Sequence, residues 1–96
     1  MIKLIDLPRG DTFQYMATWE GAQLNELKSQ VRDSLDNLIA DVKITATDTV
    51  GKYHFMVSNT SDWAIGALFT DIQRTANGII ESSESMKINV IRGITQ

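Results

Sequence analysis

From Leu38 onward, apolar residues recur at every second position in short runs, and polar or glycine-containing turns separate the runs. That period belongs to strands with one buried face and not to helices. Leu38, Ala40, Val42, Ile44 and Ala46 alternate with Ile39, Asp41, Lys43, Thr45 and Thr47. Residues 48–52 supply a turn and residues 53–57 alternate again, so the two runs read as a hairpin. A polar loop, Asn59-Thr60-Ser61-Asp62, leads to a third strand over residues 66–76, with Leu68, Thr70, Ile72 and Arg74 set against Ala67, Phe69, Asp71 and Gln73. Asn77-Gly78 follows, the pair best suited to a type I′ turn because both positions tolerate positive φ. Residues 79–82 return from it, and residues 86–91 make a last strand.

The first half is read less directly. Residues 12–19 alternate, with Phe13, Tyr15, Ala17 and Trp19 on one side. Before them Pro8-Arg9-Gly10-Asp11 reads as a turn, because proline stops any helix running through. Residues 22–42 admit two readings. Leu24, Leu27, Val31, Leu35, Leu38 and Val42 fall at helical spacing among good helix formers, which suits one amphipathic helix over 23–40 packed on a sheet. The other reading is a strand through Leu27, Ser29 and Val31, then a turn over 34–37, where Asp36 and Asn37 can bond their own backbone.

Composition limits what such a chain does. Ninety-six residues predict a single domain over 1–96. With 43% hydrophobic and 22% charged residues, the chain is neither a disordered tail nor a coiled coil. Zero cysteines exclude disulfides, thiolate catalysis and Cys-type metal sites. Nine Lys and Arg against twelve Asp and Glu give a net charge of −3, and the cations are spaced singly, so no nucleic-acid partner is expected. No apolar stretch approaches the roughly 20 residues of a membrane span, and the first residues lack a leader's apolar core, so neither membrane insertion nor secretion is expected.

The ordered series Arg9-Gly10-Asp11-Thr12-Phe13, Trp19, Ser29-Gln30-Val31-Arg32-Asp33, Leu38-Ile39-Ala40-Asp41, Gly51-Lys52-Tyr53-His54-Phe55, Trp63-Ala64-Ile65-Gly66, Asp71-Ile72-Gln73, Asn77-Gly78 and Ile88-Asn89-Val90-Ile91-Arg92 spans nearly the whole chain. It resembles a family of small immunoglobulin-like β-sandwich proteins of tailed phages and prophages. The resemblance implies an all-β fold, an antiparallel sandwich of about seven or eight strands, and makes 27–33 a strand. It also implies a non-enzymatic structural subunit of a phage tail, baseplate or related virion assembly. Such a subunit is made in the bacterial cytoplasm and has other phage structural proteins, or further copies of itself, as partners. Two other readings stand beside it: a host-surface module binding carbohydrate or protein, and a small intracellular regulatory α+β domain, which requires the 23–40 helix. A carbohydrate reader presents exposed aromatics on loops, and only Trp19 and Trp63 are candidates for that.

Few residues carry chemistry by pattern. Arg9-Gly10-Asp11 spells an integrin-binding tripeptide, but turn geometry at Gly10 accounts for it more simply. His54 is the single histidine, and its neighbours Tyr53 and Phe55 point to the other face of the strand. The aspartates lack the spacing of a calcium loop, and no phosphate-binding glycine loop or nucleophile elbow is present. No catalytic, cofactor or metal residue is therefore assigned. Met16, Ile39, Met56 and Ile91 fall on outward faces of their strands. They either form an apolar contact patch on one sheet or lie under the terminal segments.

Overall fold

The computed structural model of the chain describes residues 3–83 and 85–93. Nine strands run through the described residues: β1 (Lys3–Pro8), β2 (Phe13–Thr18), β3 (Leu27–Asp33), β4 (Leu38–Asp41), β5 (Lys43–Ala46), β6 (Lys52–Val57), β7 (Gly66–Ala76), β8 (Ile79–Ser82) and β9 (Met86–Ile91). The one helical element is a single 3₁₀ turn, Leu24–Glu26. One sheet has the order β1-β9-β7-β3-β4, with β8 also on β7, and the other has the order β2-β6-β5. All pairings are antiparallel except that of β1 with β9. The fold is an all-β sandwich of two packed sheets.

Alternation sends one face of most strands into the layer between the sheets, while β8 is exposed throughout. Phe13 and Phe55 come from the smaller sheet, and Val31, Ile88 and Val90 from the larger, all essentially without exposure. An aromatic of this size removes about 150–250 Å² from water, about 4 kcal/mol or more at ~25 cal/mol per Å². Tyr15 stacks on Phe55 at 4.8 Å, and Phe13 meets Trp63 at 6.1 Å, so Trp63 closes one end of the layer. Asn77 and Gly78 have φ of 54° and 77° and join Ala76 to its partner Ile79, the two-residue hairpin that the dipeptide predicts.

The structure decides the two readings of 22–42 in favour of the strand, and it corrects two expectations. There is no helix over 23–40: after the 3₁₀ turn the chain is β3, paired with β7 from Leu27 to Asp33. Ser29 explains the helical appearance. It sits between Leu27 and Val31 on the inward face, buried because its hydroxyl donates to the Asp71 carbonyl at 2.7 Å and meets the Thr70 hydroxyl at 3.1 Å. With a polar residue at that inward position, a strand face reads as i, i+4. The first correction is that the run 38–46 is not one strand. It pairs with β3 up to Asp41, changes sheets at the buried Val42, and continues as β5 beside β6. A β-bulge between Val31 and Arg32 shifts the β4 register, which leaves Leu38 49% exposed instead of in the core. The second is the strand count: residues 3–8 form β1, which periodicity does not mark, and with the division at Val42 the strands number nine among the described residues instead of seven or eight.

Candidate interaction surfaces

Short connections align the edges of the two sheets. Residues 9–12 carry the chain from β1, an edge of the larger sheet, to β2, an edge of the smaller, and Val42 does the same from β4 to β5. The first connection is the Arg9-Gly10-Asp11 turn. Thr60, fully buried, accepts a hydrogen bond from the Gly10 N–H at 2.9 Å and donates to the Asp11 carbonyl at 2.7 Å. Arg9 N–H donates to the Ile91 carbonyl at 2.8 Å. The tripeptide is thus a turn held by the core, with Gly10 at φ 97°.

The four apolar candidates divide between the sheets. Met16 and Met56 lie on the outer face of the smaller sheet, where β2 pairs with β6, with Met16 opposite His54 and Gln14 opposite Met56. Met16 is 56% exposed and Met56 half-buried. Ile39 lies at the β4 bulge and Ile91 at the end of β9, both in the larger sheet. The fold brings Met16 and Met56 together and separates this pair from Ile39 and Ile91. His54 shares the face of the methionines, and its Nε2 is 3.0 Å from Gln14 Oε1.

A second surface escapes the sequence reading. The outer face of the larger sheet carries a cleft of about 730 Å³ whose lining includes Lys28, Gln30, Arg32, Phe69, Asp71 and Gln73. Phe69 stands opposite Arg32 of β3 and Lys87 of β9, and Asp71 stands opposite Gln30. Part of this polar set is engaged: Arg32 donates to Gln30 Oε1 and the Asp36 carbonyl, both at 2.9 Å, and Gln30 donates to Asp41 at 3.0 Å. At the rim, Asp33 accepts from the N–H groups of Leu35 and Asn37. These bonds, led by the Asn37 N–H, hold its carboxyl below the usual range. The signal was present in the alternation, since Phe69, Asp71 and Gln73 share one strand face, but only the pairing of β7 with β3 sets them beside Lys28, Gln30 and Arg32.

At the other end of the sandwich, Glu26 accepts from the Gln23 N–H at 2.8 Å and from Arg74 at 3.3 Å, and these partners hold it below the usual carboxylate range. The loop aromatics are not presented outward: Trp63 is 5% exposed and Trp19 packs on the core. No grouping of three or more metal-ligating side chains occurs among the described residues. Compared with known families and with curated proteins, the chain matches neither a family model nor a curated sequence.

Proposed function

We propose that the chain is a non-enzymatic structural subunit of a phage tail, baseplate or related virion assembly, acting through protein–protein contacts. The ordered sequence series carries this reading, and the strand order supports the architecture it implies. A β2-β6-β5 sheet facing a β9-β7-β3-β4 sheet, with β1 added beside β9, is the feature that favours an immunoglobulin-like reading of the sandwich. The assignment to tailed phages rests on the sequence series alone. The partners are other phage structural proteins, and the place of action is the particle. Deleting the gene from the phage or prophage tests the proposal. The expected result is particles with defective tails, restored by the gene in trans; normal particles at normal yield overturn it.

The cleft around Phe69 favours a second reading, a host-surface binding module. Lys28, Asp71 and Gln73 flank an aromatic in a concave polar face, a set able to hold a ligand with hydroxyls and one apolar side. Binding of the isolated chain to host-surface polysaccharide, lost on Phe69→Ala, separates this reading from a purely structural one.

A further inference from the structure

Among the described residues five strands offer a free edge: β1, β4 and β8 in the larger sheet, β2 and β5 in the smaller. Folded proteins blunt such edges with proline, charge, bulges or short length, because an open edge is a template for another strand. Four of the five follow that rule. β8 has four residues and carries Glu81. β1 carries Asp6 and closes on Pro8. β4 has four residues, a bulge in its pairing and Asp41. β5 has four residues and begins with Lys43. β2 does not: Phe-Gln-Tyr-Met-Ala-Thr is six residues in regular register, without charge, proline or bulge.

The hydrogen-bond phase of β2 identifies which groups are open. Trp19 N–H donates to the Gly51 carbonyl at 2.8 Å, on the β6 side. Backbone direction alternates along an antiparallel strand, so Phe13, Tyr15 and Ala17 also face β6. Gln14, Met16 and Thr18 therefore turn their N–H and C=O groups to the free edge, and their side chains are exposed on the outer face.

We infer that β2 pairs with β2 of a second copy of this chain, antiparallel about a two-fold axis through Met16. In this register each edge-facing residue finds a partner. Met16 meets the same residue of the second copy, and Gln14 lies opposite Thr18, each pair exchanging both N–H···O bonds. The thioethers meet each other, and the amide meets a hydroxyl. An uncharged, self-complementary edge selects its own copy, since an isologous contact must match itself. The product is one continuous sheet, β5-β6-β2 joined to β2-β6-β5. A contact confined to one strand edge falls below the roughly 1,200 Å² of a stable interface, so free copies associate weakly and copies held side by side in an assembly associate strongly. The inference rests on edge geometry and is independent of the virion assignment.

Sedimentation velocity and cysteine crosslinking test it together. The native chain has no cysteine, so a single introduced one is unique. Met16→Cys places two thiols at the axis with Cα atoms about 5.5 Å apart, within disulfide reach. It should form a linked dimer about tenfold faster or more than Thr45→Cys, on the opposite edge of the same sheet. Met16→Pro removes a donor from the free edge and none from the β6 ladder, a placement edge strands tolerate. It should keep the β circular dichroism spectrum while the native concentration-dependent dimer weakens about tenfold or more. Equal crosslinking at the two positions overturns the inference. So does a native chain that stays monomeric at all concentrations, or one whose β2 edge is protected only when another protein is added. If Met16→Pro fails to fold, the hydrogen-bond phase assigned to β2 is wrong and the inference falls with it.

Discussion

Tyr15 and Tyr53 both enter the core from the smaller sheet, yet the same substitution should affect them in opposite ways. Tyr53 Oη donates to the Ala22 carbonyl at 2.6 Å, and both residues are buried. Tyr53→Phe removes that bond and leaves the carbonyl without a partner, a cost of about 1–3 kcal/mol. Tyr15 Oη is buried beside the Ser29 and Thr70 hydroxyls, but no hydrogen bond of regular geometry reaches it. Each of those hydroxyls has one proton, which Ser29 gives to the Asp71 carbonyl and Thr70 to the Gln30 carbonyl. Burial pushes the Tyr15 phenol above its ordinary value. Tyr15→Phe therefore removes a desolvated group, keeps the stack on Phe55, and should leave stability unchanged or raise it by up to about 1 kcal/mol. A separation near 2 kcal/mol corresponds to roughly 8–16 °C in Tm for a domain of this size. Urea unfolding of the two variants beside the native chain measures it. Equal losses, or a larger loss at Tyr15, refute the reasoning by showing that Tyr15 is the hydrogen-bonded one.

Three further outcomes follow from the same structure. Thr60→Val keeps the shape of a fully buried side chain but releases the Gly10 N–H and the Asp11 carbonyl; chemical unfolding should show a loss of about 1–3 kcal/mol. At Gly78, φ is 77° and an added Cβ meets nothing within 4 Å, so Gly78→Val costs backbone strain alone, about 1–3 kcal/mol, and Gly78→Asn should cost less. Asp33 and Glu26 titrate lower in the folded chain than unfolded, so their contribution is complete above the ordinary carboxylate range, near 4, and is lost as pH falls through their folded-state values. Urea midpoints from pH 5 down to 2 should fall, and less steeply for Asp33→Asn.

How far the sequence discloses this fold depends on what each strand face contains. β2, β7, β9 and the Asn77-Gly78 hairpin are legible because their inward positions are mostly apolar and their turns chemically explicit. β3 is legible only in part, because Ser29 occupies an inward position whose hydroxyl bonds are made by β7, some forty residues away in sequence. β1 has only Ile5 and Leu7 to mark its inward face, and its partner β9 lies at the far end of the chain. The change of sheet at Val42 leaves the alternation unbroken, so no periodicity reports it. The candidate surfaces obey the same logic. Alternation shows that Met16 and Met56 face outward, but which strands share a sheet is a property of pairing. Pairing groups these two, parts them from Ile39 and Ile91, and gathers the cleft around Phe69.

The central claim is that this sandwich is a resident component of a virion, and mass spectrometry of purified particles tests it most directly. Particles from the bacterium that carries the gene, banded by density gradient and washed in high salt, should contain the chain in a constant ratio to the other tail proteins through every step. A chain found only in the soluble lysate, or one whose ratio falls toward zero with each purification step, contradicts the account.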